Sequence, residues 1–553
     1  MRAGSERQRL AFLATLASHL SRNISMHTQF APSDPAARDL AVASIIEYKG
    51  RVQDALSANL DSLRQRFSAD DRKVLDELSD TNSKLANLLL GGPGKSPSAE
   101  DEEQVRALEG QREALETEIS RRSGGFFEKS QPVSLAAVQQ AIPDNAALIE
   151  FAVYEHYDPR APETQKAFSQ PYYVAYVIAP QGEPKWADLG NAADIDQSID
   201  MWRRALRDPD SKDSDRLGRI VDEKIMEPLR PLLGGASQLL VAPDGELNLA
   251  PLEALLDRQG RYLIQAFSVT YLTSGRDLLR MQIGRSARSD PVLVANPTFG
   301  EPPNILAKSH APPKPAGKRG RRASVTEAQS FSDLYFAPLT GTEQEARSIQ
   351  SLFPEAKLLT RSMATKSALK QLTAPGILHI ATHGFFLEAA KPPAVSSQTA
   401  SGAIGETENP LLRSGLALAG ANSRANGEGD GILTALEASG INLWGTWLVT
   451  LSACDTGLGE VRTGEGVYGL RRSFVLAGAE SVVMSLWQVS DYVTRETMID
   501  YYTGLKQGLG RGEALRQVKL AILKRKDRRH PFYWASFIQS GDWTSLPSLT
   551  APK

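Results

Sequence analysis

Cys454 is the only cysteine among 553 residues. A lone Cys with a His elsewhere in the chain is the sequence form of a nucleophilic pair. The thiol ends an apolar run, Trp447-Leu448-Val449-Thr450-Leu451-Ser452-Ala453-Cys454, and Asp455-Thr456-Gly457 follow at once. A second run of the same form, Ile377-Leu378-His379-Ile380-Ala381-Thr382-His383-Gly384-Phe385-Phe386, ends its strand-like part in His-Gly. His383 and Cys454 lie 71 positions apart. An imidazole within reach would take the thiol proton, and the thiolate would attack a carbonyl carbon. The oxyanion formed needs donors already in place. The backbone N–H groups of Gly384 and Cys454 are the expected ones, because a glycine after the His permits close approach. His383 would then return its proton to the leaving group. Plainer readings stand beside these. A lone Cys is more often a small buried hydrophobe, His379 reads as a core residue with a hydrogen bond, and Asp455 reads as a turn former with Thr456-Gly457. One Cys and seven His make no cluster of metal-ligand spacing, so neither a metal nor a cofactor is expected, and no internal disulfide can form.

Both runs have the length and composition of buried strands bounded by glycine. The pair would therefore sit where strands give way to loops, at the carboxyl edge of a parallel sheet, where open α/β sheets build their sites. Further strands are expected at 147–154, 172–179, 239–242, 269–272 and 292–295. Their alternation with helical stretches indicates α/β with a parallel sheet. Before them, 7–30, 36–67, 69–91 and 99–122 read as helices; Glu100 to Arg121 is rich in Glu, Gln, Leu and Arg, which favours helix. No 34-residue tetratricopeptide repeat is visible. Two stretches read as loops: Pro302 to Ser330, holding Lys318-Arg319-Gly320-Arg321-Arg322, and Glu388 to Gly431, a lid candidate between the two site strands. The formal net charge of −2 gives no reason to expect nucleic acid, and five cations in a loop are usually just solvated. One cysteine argues against an oxidising compartment. No apolar run approaches the ~20 residues that span a bilayer. Arg2, Arg7 and Arg9 ahead of Leu10–Leu16 imitate a signal peptide faintly, but the leucines recur at helical spacing. A cytoplasmic protein with no membrane partner is expected.

Thr382-His383-Gly384 and Leu451-Ser452-Ala453-Cys454-Asp455-Thr456-Gly457 resemble the catalytic region of CHAT domains, caspase-like cysteine peptidases related to separase. The resemblance extends upstream through Leu239–Gly245, Leu249–Leu255 and Tyr271–Leu278. Downstream it takes in Gly464-Glu465-Gly466, Ala477-Gly478-Ala479, Ser485–Asp491 and His530–Ala535. It implies a caspase-like, mostly parallel sheet flanked by helices and preceded by an all-helical N-terminal segment. The expected divisions are a helical neck at 1–130, a first, non-catalytic part at 145–300, a basic linker at 301–330 and a catalytic part at 331–543. The implied activity is cysteine endopeptidase action on a protein substrate, in bacterial signalling or defence, with an activating partner or neighbouring effector bound through the helical N-terminus. In separase-like relatives an acidic residue near this position receives a basic P1 side chain, a role that falls on Asp491. The other reading of Asp491 is a cap on the helix 492–505. A basic P1 would also make Arg319, Arg321 and Arg322 self-cleavage sites. A catalytically quiet caspase-like scaffold, or a cysteine hydrolase acting on non-peptide substrates, are the alternatives.

Overall fold

The computed structural model describes residues 4–66, 68–90, 99–123, 133–162, 167–301, 334–387, 409–423, 431–453, 456–488 and 490–547. Cys454, Asp455, the basic run 318–322 and much of 388–431 lie outside the described residues.

Helices come first: α1 (Glu6–Ser25), extended by a π turn at Met26–Phe30, then α2 (Pro35–Tyr48), α3 (Arg51–Arg66), α4 (Ala69–Leu89), α5 (Ala99–Ser123) and α6 (Leu135–Ala141). Then follow β1 (Ala146–Tyr157), β2 (Phe168–Ile178), β3 (Lys185–Asn191), α7 (Ala192–Arg207), α8 (Ser214–Ile225), β4 (Gln238–Ala242), α9 (Leu263–Ala266), β5 (Ser268–Tyr271) and α10 (Arg276–Met281). The remainder is β6 (Val292–Pro297), α11 (Thr340–Leu352), β7 (Lys357–Arg361), α12 (Lys366–Lys370), β8 (Ile377–Ala381), β9 (Gly384–Phe386), β10 (Ser414–Ala417), β11 (Ile432–Thr434), α13 (Ala435–Ala438), β12 (Leu448–Leu451), β13 (Gly459–Arg462), β14 (Gly466–Gly469), α14 (Leu470–Ala477), β15 (Ser481–Ser485), α15 (Asp491–Lys506), α16 (Arg511–Leu523) and β16 (Phe537–Gly541).

One 11-stranded sheet runs in the order β3-β2-β1-β4-β5-β16-β15-β12-β8-β6-β7. It is parallel except at β1–β2, β2–β3 and β15–β16. Every residue of β4, β8, β12 and β15 is buried, as expected of parallel strands covered on both faces by helices. The two halves of the sheet meet at β5 and β16, through the single register pair Ser540↔Tyr271. β6, which falls before residue 300, lies between β8 and β7 in the second half. The change of half in the chain therefore falls between β5 and β6. β3 was not expected: it is a half-exposed edge strand and carries no apolar run.

Two further differences from the sequence reading have physical causes. The helix expected over 36–67 is two, broken at Lys49-Gly50. Gly50 takes φ +65, and Lys49, 2% exposed, turns into the core. Its Nζ donates to Glu150 Oε2 at 2.9 Å and to the carbonyls of Phe151 and Ala242 at 2.8 Å each. The stretch 388–431 is not all loop either. Its buried Leu411 and Leu412 lie in a turn and its buried Leu416 in β10, the middle strand of a small sheet ordered β11-β10-β9. An average over composition hides such a short apolar core.

The helical neck packs its buried faces on the chain's own sheet. Ile24, Ala41, Val42, Ile45 and Ile46 pack against Leu148, Ala152, Val174 and Leu240. Arg64 donates to the carbonyls of Leu476, Ala477, Ser439 and Ile441. Glu465, between Gly464 and Gly466 (both φ +77), accepts from Val52 N and Gln53 N at the start of α3. Arg472 pairs with that same carboxylate and with Glu6. Among the described residues, no helix is long and apolar enough to cross a membrane.

Candidate active site

β8 and β12 are parallel neighbours, with Leu451 opposite Ile380. Beyond the register pairs, Ser452 N donates to Ile380 O at 2.9 Å. The strand ends leading to His383 and to Cys454 thus leave the sheet side by side at its carboxyl edge. Ala453 is the last described residue before Cys454. Its carbonyl accepts from Ser485 Oγ at 2.6 Å and Thr456 Oγ1 at 3.3 Å. Gly457 N donates to Ser485 O at 2.8 Å. The chain on both sides of position 454 is therefore tied to the end of β15.

His383 is 1% exposed. Its ring lies against Phe299 and Phe336, with centroids 5.3 and 5.8 Å away. Nε2 is 2.8 Å from the Ala337 carbonyl oxygen. A carbonyl only accepts, so Nε2 carries the hydrogen, and in the neutral ring Nδ1 is the basic nitrogen. The backbone is held as well: Ala417 N donates to His383 O at 2.9 Å, and Thr382 Oγ1 to Ala417 O at 2.5 Å.

Gly384 opens β9 opposite Leu416 of β10. Bonds to β10 are made at His383 and at Leu387, whose N–H donates to Arg413 O at 2.8 Å. Facing alternates residue by residue in an antiparallel ladder. The N–H of Gly384 therefore points away from β10. His379, inside β8, is fully buried and held between Glu345 Oε1 at 3.0 Å and Tyr502 Oη at 3.2 Å.

Asp491 is the first residue of α15 rather than its cap; Ser490 occupies the N-cap position. A methyl group on Gly341 would stand 3.5 Å from Asp491 Oδ2. The half-buried carboxylate thus lies near the start of α11 as well as of its own helix, where helix dipoles favour a negative charge. The segment from Phe336 to Gly341 runs from His383 to Asp491. The sequence reading missed the Ala337 carbonyl and the Phe299–Phe336 sleeve. A backbone acceptor has no residue code, and two phenylalanines far apart in the chain give no spacing signal. Among the described residues, no group of three or more His, Cys, Asp or Glu is placed to hold a metal.

These features define an α/β protein whose mostly parallel sheet presents an enclosed histidine at its carboxyl edge. The CHAT domain family matches residues 215–542, more than half of the chain, and the chain belongs to it. Tetratricopeptide repeat protein 28 of Homo sapiens is 26% identical over 328 residues, which are 57% of this chain and 12% of that protein. Its Mus musculus counterpart is 24% identical over 326 residues, with the same coverage. The chain spans about an eighth of the length of the curated relatives it matches. Among solved structures, the Saccharomyces cerevisiae separase–securin complex is similar with a TM-score of 0.39 at 10% identity, over 96% of this chain and 40% of that one. The Arg-specific cysteine proteinase gingipain R is similar with a TM-score of 0.32 at 10% identity, over 64% and 75%.

Proposed function

We propose that the protein is a cysteine endopeptidase in which His383 activates Cys454 against a peptide carbonyl of a protein substrate, within a bacterial signalling or defence response. The observation that carries this reading is the bond from His383 Nε2 to the Ala337 carbonyl. It commits the proton to Nε2 and leaves Nδ1 as base, in an aromatic enclosure beside the strand that leads to Cys454. Ala453, the residue before Cys454, is the last described residue past the end of β12. In this reading Nδ1 takes the thiol proton and the thiolate attacks. The N–H groups of Gly384 and Cys454 hold the oxyanion, and the imidazolium protonates the departing amine. Its orientation away from β10 supports the assignment of Gly384.

The test is cleavage of a proteome by wild type beside Cys454→Ala and His383→Ala, read as new N-termini. Both variants should lose the wild-type cuts, since removing the nucleophile closes the covalent route and removing the base costs about 10²-fold or more. Cuts that persist with Cys454→Ala would refute the reading. A preference for a basic P1 residue is proposed on Asp491, whose carboxylate would pair with a guanidinium bidentately. Asp491→Ala should then abolish the preference for Arg over Ala at P1; an unchanged preference would leave Asp491 with a helix-terminus role alone. The second reading, a quiet scaffold, is favoured by the human and mouse relatives, both named for their repeats. A peptidyl acyloxymethyl ketone that labels Cys454 in wild type and not in His383→Ala decides against it.

A further inference from the structure

We propose that Asn422 is a positioning residue for His383, acting through the backbone of Phe336 and Ala337. The proposal rests on the peptidase reading for its consequence in catalysis, but not for its geometry. Asn422 is 3% exposed, and both ends of its carboxamide are committed. Oδ1 accepts from Phe336 N at 3.0 Å, and Nδ2 donates to Phe336 O at 2.9 Å and to Gly300 O at 3.0 Å. Its own backbone N–H donates to Phe299 O at 2.7 Å. The side chain thus binds Phe336 as a neighbouring strand would, by both N–H and C=O. Phe336 is the residue before Ala337, whose carbonyl fixes the proton of His383. Phe299 and Phe336, both gripped by Asn422, are also the rings that enclose the imidazole. Five residues earlier, Ala417 N holds the His383 carbonyl. One short stretch, 417–422, therefore fixes both the backbone of His383 and the acceptor for its ring.

The chemistry needs an amide. An ionised Asp would set a carboxylate oxygen against two carbonyl oxygens, an arrangement with no donor. Ala would leave the Phe336 N–H and two carbonyls without their partner, and buried groups so stranded move to find another. Either change frees the Ala337 carbonyl to turn from Nε2, and the ring then no longer has a fixed tautomer.

Two measurements test this on the full chain. The first is two-dimensional 15N NMR of the histidine rings, with His383 assigned by comparison with His383→Gln. Wild type should show hydrogen on Nε2 alone; folded Asn422→Ala should show a mixture of both tautomers. The second is alkylation of Cys454 by iodoacetamide at pH 7, which should slow about tenfold in Asn422→Ala as the thiolate fraction falls. A residue that merely supports the fold would lower the melting temperature and change neither readout. If Asn422→Ala does not fold, Asn422→Asp carries the same test. Its tautomer should be mixed at pH 8, where the ionised carboxylate offers the Phe336 and Gly300 carbonyls no donor. An unaltered His383 tautomer in a folded Asn422 variant overturns the proposal. Should wild-type Cys454 react only as an ordinary thiol, the peptidase reading falls, while the NMR comparison still decides the role of Asn422.

Discussion

Few side chains carry the candidate site, and the backbone does much of the work. His383 takes its tautomer from a carbonyl, and the donor assigned to the oxyanion is the N–H of Gly384. That N–H points away from β10, so the ladder does not use it. Proline at this position would remove the donor and cost no bond between β9 and β10. Gly384→Pro should accordingly melt within a few degrees of wild type while kcat falls about 10²–10³-fold, the usual cost of one lost oxyanion donor. Turnover that survives in a folded Gly384→Pro protein would take the oxyanion role away from this residue.

At the scale of elements, the helical segment and the sheet are joined by buried charge. Lys49 and Glu150 are 2% and 0% exposed, and Gly275 N also donates to Glu150 Oε1 at 2.5 Å. Burial raises the Glu150 carboxyl above its ordinary range, with Lys49 opposing the shift. Lys49→Met removes that opposition and strands a carboxylate in the core, a loss of about 3–5 kcal/mol. The sign of its pH dependence follows. A carboxyl whose folded pKa lies above its unfolded value favours the folded state most below the unfolded value, and loses that contribution as pH rises through the folded one. The deficit of Lys49→Met, read by urea unfolding, should be smaller at pH 5 than at pH 8; an equal deficit at both would mean that Glu150 does not titrate there. A sequence reading could foresee α2 and α3 as helix but not the break between them, because Lys49 looks like any solvated lysine until its partners on β1 and β4 are known. The parallel strands β4, β8 and β12 were legible because a strand buried on both faces is an apolar run. β3 and β10 were not, one half-exposed at an edge and the other set within a polar stretch. His383 was legible as a residue type placed where β8 gives way to a loop. Asn422 was not, since its meaning lies in a backbone distant in the chain.

In the whole molecule, the family match begins at residue 215, but the folded unit begins earlier. β4, inside the match, pairs with β1 in front of it, and Glu465 and Arg472 hold Val52, Gln53 and Glu6. A fragment 215–542 would expose the β1 side of β4 as a bare edge and leave buried charges without partners. It should aggregate or elute as a broad species, whereas residues 4–547 should give one cooperative melt. A fragment that melts at the temperature of the longer chain would show that the N-terminal half contributes no stability. The hairpin of β13 and β14, which follows Cys454, is the point where this dependence bears on the site. Gly464 O takes the N–H of Gly50, and Gly464 N is bound by Asp244 Oδ1. A recombination event that moved only the recognisable stretch into another gene would therefore transplant His383 and Cys454 without the clasp behind them. The heritable module, as distinct from the recognisable one, has to include α1, α3 and β1.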